Sequence, residues 1–421
     1  MPNANQSFRR RATRLRRAAA LCVLGGCVAV PLGAQGTAPA KRRARELGLP
    51  IGGTAGPLDA ITDVAGVEVG HTTLISGSGK LVVGKGPIRT GVTVVHPRGK
   101  ANPDPVFGAW FTLNGNGEMT GTTWLQESGV LEGPIAITNT HSVGVVRDAI
   151  LQWQVGKPGM QPWGLPIVAE TYDGSLNDIN GFHVRPEHVS SALDGAKGGP
   201  VLEGNVGGGT GMICHGFKGG IGTASRRLAP EQGGYTVGVL VQCNYGGRRD
   251  LRIAGVPVGE EIPDLTSCFA GTDIVQGDPR FQRRCDQAGR NDGPDVELGS
   301  IIVIVATDAP LMPDQLKRVA TRVALGVGRQ GGFGGNGSGD IFVAFSTANP
   351  RSWSSDSVSS VRRLSNDRIT PLFQATAQAT EAAITNALLA AETTTGANDL
   401  RIFAMPVDRM LDAMRKYGRM K

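Results

Sequence analysis

Residues 299–306 run Gly299-Ser300-Ile301-Ile302-Val303-Ile304-Val305-Ala306, a single hydroxyl followed by six apolar side chains. An unbroken β-branched run of this length predicts a buried strand that begins at Ser300. Shorter apolar runs predict further strands at Gly91–His96, Pro134–Thr138, Tyr235–Gln242 and Ile341–Phe345. A different period marks the helices. From Pro313 to Val327 the residues Leu316, Val319, Ala320, Val323, Ala324 and Val327 share one face, with Pro313 and Asp314 suited to a helix start. Pro371–Ala391 is alanine-rich with Phe373, Ala377, Ile384 and Leu388 on a common stripe, and a last helix follows Asp408 and stops near Gly418. Because strands and helices interleave, the pattern predicts a mixed α/β layered fold. The polar stretch Gly259–Glu297 predicts a surface loop leading into Ser300, a position where a chain break is tolerated.

The N-terminus follows another pattern. Six arginines between Arg9 and Arg17 precede an apolar run from Ala18 to Val30 that is too short to span a bilayer, and small residues follow at Gly33-Ala34. This is the order of an export signal over residues 1–34, which places the mature protein in the periplasm or outside the cell. Leu24-Gly25-Gly26-Cys27 also has the form of a lipoprotein box, which would make Cys27 a lipid anchor. The formal charge of +7 falls to +1 without those six arginines, so the basic balance belongs to targeting. No basic patch interleaved with aromatics remains to suggest nucleic acid.

With 421 residues, 40% of them hydrophobic, the chain can bury a large core. Its 62 glycines show no collagen-like period and predict many tight turns. Export permits disulfides. Cys268 and Cys285 lie in a polar stretch and can close a small loop, whereas Cys214 and Cys243 read as small buried residues near strands. No cysteine pair has zinc-site spacing, and nothing in the pattern calls for a metal or organic cofactor.

Candidate chemistry clusters at element ends. A cut between Gly299 and Ser300 would give the serine a free α-amine, of pKa about 8, able to take its own hydroxyl proton. Ser338 and Asp340, two apart at the start of a strand, would point to one side of an extended chain and could orient that serine. Asn244 ends the apolar run Val237–Cys243 and could donate to an oxyanion. Glu170, between Trp163 and Tyr172, could hold a substrate ammonium. The run Gly207-Gly208-Gly209-Thr210-Gly211 lacks the lysine of a phosphate loop and the spacing of a dinucleotide site. Each of these features alone also fits a plain turn, strand cap or core edge. No Gly-x-Ser-x-Gly or His-Glu-x-x-His occurs, and none of the six histidines lies beyond Ser300.

Five segments taken in order narrow the choice: Asn114-Gly115-Asn116-Gly117-Glu118-Met119-Thr120-Gly121, Gly204–Met212, Gln242-Cys243-Asn244-Tyr245-Gly246, Gly299-Ser300 and Asn336-Gly337-Ser338-Gly339-Asp340. Together they resemble the L-aminopeptidase/D-esterase and β-peptidyl aminopeptidase family of self-processing N-terminal-serine peptidases, from about Arg45 to the C-terminus. The resemblance implies a four-layer α-β-β-α sandwich, like other N-terminal-nucleophile hydrolases but differently connected. It implies autocleavage into an α chain (35–299) and a β chain (300–421) of one domain, and homotetrameric assembly. Carried onto this chain, Ser300 is the nucleophile, Ser338 and Asp340 tune it, and Asn244 is the oxyanion donor. Glu170 binds the substrate's free amine in a pocket shaped by Trp163 and Tyr172. Position 340 is Asp, where β-peptide-cleaving members can carry the longer Glu. The expected activity is release of N-terminal residues from short peptides, amides or esters through an acyl-enzyme. Hydrolysis of non-peptide oligoamides or cyclic amides is the alternative, and a noncatalytic periplasmic binding protein is a rival of another class.

Overall fold

The computed structural model describes residues 42–160, 163–272, 274, 281–287, 299–351 and 358–421. The proposed export signal, Cys27 and most of the stretch from 275 to 298 lie outside these residues.

The strands in chain order begin with β1 (Glu68–Ser76), β2 (Ile88–His96), β3 (Val106–Gly115), β4 (Val130–Leu131), β5 (Ile135–Asn139) and β6 (Ile167–Thr171). They continue with β7 (Ile213–Cys214), β8 (Phe217–Lys218), β9 (Gly220–Arg227), β10 (Thr236–Asn244) and β11 (Cys268–Phe269). The last are β12 (Gly299–Thr307), β13 (Ser338–Ser346), β14 (Thr394–Thr395) and β15 (Leu400–Ile402). The helices are α1 (Thr122–Ser128), α2 (Val143–Gln154), α3 (Pro186–Gly195), α4 (Val258–Glu261), α5 (Pro313–Arg329), α6 (Thr370–Ala390) and α7 (Val407–Lys416).

A four-stranded sheet has the order β1-β2-β5-β6 and a six-stranded sheet the order β4-β3-β13-β12-β10-β9. In the larger sheet β12 runs antiparallel to β10 and parallel to β13. The continuous apolar run of β12 has a direct cause. Ile301, Val303 and Val305 join the cluster that includes residues of α5 and α6, while Ile302, Ile304 and Ala306 pack with Val95, Ile135, Ile137 and Ile167 of the smaller sheet. Both faces are buried, so alternation has no role. At about 1.5–3 kcal/mol for each buried aliphatic side chain, this strand is among the firmest elements available to carry a site. Helices α2 and α3 pack on the smaller sheet through Val146, Ile150, Val189 and Leu193 against Val92, Val94 and Val168.

The five strands expected from apolar runs and the three expected helices are present, with ends displaced by up to three residues. Strands β1, β3 and β9 were hidden by glycines and polar residues within them, as in Glu68-Val69-Gly70-His71-Thr72-Thr73. Two expectations are corrected. Cys214 and Cys243 are buried, as expected, but are bonded to each other as well as packed, tying β7 to β10. The segment following Gly259 is more than a surface loop. It forms α4 and then β11, which pairs with β15, and Phe269 and Phe281 pack with Leu176 and Leu400. Cys268 and Cys285 form the anticipated bridge.

Candidate active site

Ser300 stands at the start of β12, opposite Asn244 on one neighbouring strand and Gly339 on the other. Gly299 and Ser300 are consecutive residues of that strand, so the geometry is that of the uncut chain. The serine is nearly buried, and the Gly339 N–H donates to its Oγ at 3.1 Å. Two residues along the parallel neighbour, extended geometry places Ser338 and Asp340 on one side, as expected. Ser338 Oγ donates to Asp340 Oδ1 at 2.6 Å, and the same oxygen accepts from the Ile301 N–H at 3.3 Å. The carboxylate is therefore anchored to the residue that follows the candidate nucleophile.

The motif beginning at Asn114 clasps this corner. Asn114 Nδ2 donates to the carbonyls of Gly335 (3.0 Å) and Ser338, and Asn116 Nδ2 donates to Gly337 O at 2.9 Å. The clasp lies so close that a Cβ on Gly339 would stand 2.5 Å from the Asn116 carbonyl oxygen. Glycine at 339 thus lets the turn press onto β13 beside Ser300.

A cavity of about 490 Å³ opens in front of Ser300. Its lining includes Asn244, Glu170, Tyr172, Glu118, Thr140 and Ile213. Glu170 belongs to β6, which lies parallel to β5 with Thr138 as its partner. It is buried at 3% exposure and accepts from the Glu118 N–H (3.0 Å) and from Thr140 Oγ1. Burial raises its pKa, opposed by those two hydrogen bonds. The Asn244 side chain accepts from the Ile213 N–H at 2.7 Å through Oδ1 and donates through Nδ2 to the Tyr172 carbonyl at 3.0 Å. These two partners fix which end of the amide faces which way.

The structure therefore gathers Ser300, Ser338, Asp340, Asn244, Glu170 and Tyr172 around one corner, but not Trp163. That indole is 56% exposed and is absent from the cavity lining, because it precedes the start of β6 by four residues. Sequence reasoning passed over Thr140 and Ile213. Thr140 had a usable signal: it directly follows the end of β5, as Glu170 nearly ends β6, and these two strands are parallel neighbours. Among the described residues, no group of three or more His, Cys, Asp and Glu side chains is placed to hold a metal ion.

With a hydroxyl, an amide and a buried acid facing one cavity and a carboxylate on the strand beside the hydroxyl's, the arrangement suits acyl transfer from a substrate that carries a cation. Comparison with known proteins agrees. The sequence model of Peptidase family S58 matches residues 59–402. The chain is similar to the β-peptidyl aminopeptidase BapA of Sphingosinicella microcystinivorans, with 55% identity over 90% of this chain and 93% of that protein. Among solved structures it is similar to a β-aminopeptidase of a Burkholderia species, with 46% identity and a TM-score of 0.77 over 90% of this chain and 99% of the other. It also resembles the L-aminopeptidase D-Ala-esterase/amidase of Ochrobactrum anthropi, described as a prototype of the serine aminopeptidases and a new variant of the Ntn hydrolase fold. There the identity is 43% and the TM-score 0.78, over 90% and 99% of the two chains.

Proposed function

The chain belongs to peptidase family S58 and is a serine aminopeptidase, and from that premise we propose how its residues divide the work. The precursor cuts itself between Gly299 and Ser300, leaving an α chain of residues 35–299 and a β chain of residues 300–421. The new α-amine of Ser300 then takes the proton from its own Oγ as that oxygen attacks the scissile carbonyl. Asn244 Nδ2 donates to the oxyanion as the tetrahedral intermediate forms. When the C–N bond breaks, the Ser300 ammonium returns the proton to the leaving amine, and the acyl group remains on Oγ. Water, deprotonated by the same amine, releases the acyl group as a free acid. Ser338 and Asp340 hold Ser300 in position through the contacts at its strand.

Glu170 binds the substrate's N-terminal ammonium, in a cavity that Tyr172 also lines. That pairing is the observation that carries the reading: a buried carboxylate and a serine hydroxyl line one cavity, which selects an acyl group bearing a free amine close to its carbonyl. The substrates we propose are short peptides, amides and esters, and the names of the relatives favour those with an N-terminal β-amino acid. For the fold, we infer four layers in the order α-β-β-α, supported by apolar clusters that join α2 and α3 to one sheet, α5 and α6 to the other, and the two sheets to each other. Export through residues 1–34 and assembly of processed units into a homo-oligomer complete the proposal.

Intact-mass analysis of purified protein tests the central step. Wild type should separate into two chains with Ser300 at the start of the second. Ser300→Ala should remain one chain and hydrolyse no aminoacyl p-nitroanilide. An intact, fully active Ser300→Ala variant would overturn the proposal.

A further inference from the structure

Lys218, in β8 and paired with Ile213 across the β7–β8 hairpin, is completely buried yet has no acidic hydrogen-bond partner among the described residues. Its Nζ donates to three main-chain carbonyls: Met212 (2.8 Å), Gly219 (2.8 Å) and Gly209 (3.2 Å). Three acceptors require three N–H donors, which only the ammonium form possesses. Burial pushes this ammonium down to about 7, while the three carbonyl dipoles favour its charge. A methionine would fill much of the same space without that desolvation cost. The charge therefore calls for a use beyond packing.

Its position supplies one. The Met212 carbonyl and the Ile213 N–H are the two ends of one peptide group. The carbonyl accepts from Lys218 Nζ, and the N–H donates to Asn244 Oδ1 at 2.7 Å. We propose that Lys218 is a positioning residue for Asn244, acting through the Met212–Ile213 peptide. A cation on the carbonyl end draws electron density from the peptide and makes its N–H a stronger donor. That N–H in turn polarises the Asn244 amide and makes its Nδ2 hydrogens stronger donors. One of these hydrogens goes to Tyr172 O, and the second is the one an oxyanion would meet. The same contacts fix the plane of the Met212–Ile213 peptide, and with it the rotation of the Asn244 side chain.

The inference rests on the proposed role of Asn244 as oxyanion donor, so the test treats both residues in one cycle. Lys218→Met, Asn244→Ala and the double variant are compared with wild type, with kcat and KM expressed per processed chain and thermal unfolding recorded for each. Asn244→Ala should lower kcat about 100- to 1000-fold. Lys218→Met should lower kcat about tenfold with KM within about twofold, and should have no further effect when Asn244 is already alanine. Wild-type kcat in Lys218→Met, or an equal loss in both backgrounds, overturns the coupling and leaves the role of Asn244 standing. An Asn244→Ala enzyme with wild-type kcat instead removes that role, and the coupling with it. If Lys218→Met does not fold, Lys218→Gln enters the same cycle. If the Asn244 variants process too slowly for turnover assays, the cycle is read on the rate of self-cleavage followed by mass analysis over time.

Discussion

A methyl group on Gly299 would stand 1.9 Å from the main-chain carbonyl oxygen of Asn244. Gly299 also adopts a φ of +118°, which side-chain-bearing residues rarely enter. The residue before the proposed cut is thus held against the strand that carries the proposed oxyanion donor, in a conformation and a space that only glycine fits. Gly299→Ala should push the start of β12 away from β10 and displace the scissile carbonyl. The expected result is uncut precursor after prolonged incubation and at least about a 100-fold loss of aminopeptidase activity. Mass analysis over time checks this, and self-cleavage at the normal rate would contradict it.

Ser338 and Asp340 make a second prediction. The Ser338 hydroxyl donates to Asp340 Oδ1 at 2.6 Å, and the Ile301 N–H reaches the same oxygen at 3.3 Å. Hydrogen bonds to charged groups contribute about 1.5–3 kcal/mol. Ser338→Ala should accordingly lower kcat by about 10- to 100-fold, with KM changed much less and with an unaltered circular dichroism spectrum. A variant with unchanged kcat would remove Ser338 from the machinery.

These residues were legible because the chain announces them locally. Ser300, Asn244 and Asp340 each sit where an apolar run meets polar residues, and such junctions fall at the ends of sheet strands, where a cavity can open. Tertiary placement was not legible. Trp163 is seven residues from Glu170, yet the loop before β6 carries it outward, and nothing in its own neighbourhood says so. Cys214 and Cys243 lie near the ends of apolar runs, so each reads as packing alone. Their bond exists because the β7–β8 hairpin is laid against the end of β10, a contact across 29 residues of sequence. Lys218 was hidden for a related reason: three carbonyls from a folded turn make room for a cation that composition would assign to the surface.

Glu170 links pH to substrate binding with a definite sign. Its carboxylate is buried, and burial raises its pKa above the ordinary glutamate value, so it takes up a proton at a higher pH than an exposed glutamate would. Only the ionised form attracts an ammonium. As pH falls through that raised pKa, KM for free-amine substrates should rise. The alkaline limb belongs to the substrate amine, which must be charged to bind. The Ser300 amine must instead be uncharged to act as base, and so gives kcat a separate fall on acidification below about pH 8. Stability carries the opposite sign. A carboxyl whose pKa is raised by folding favours the folded state most when protonated, and that contribution is lost as pH rises through the folded value. Acidification should therefore weaken substrate binding without loosening the fold on account of this residue. Glu170→Gln should abolish the rise of KM on acidification, raise KM about 10- to 100-fold at neutral pH for free-amine substrates, and erase the preference over amino-blocked analogues. Steady-state kinetics between pH 5 and 9, paired with thermal unfolding at the same pH values, checks both signs. A rise of KM on acidification that survives in Glu170→Gln would assign the ammonium to another group, with Glu118, which also lines the cavity, the first to examine.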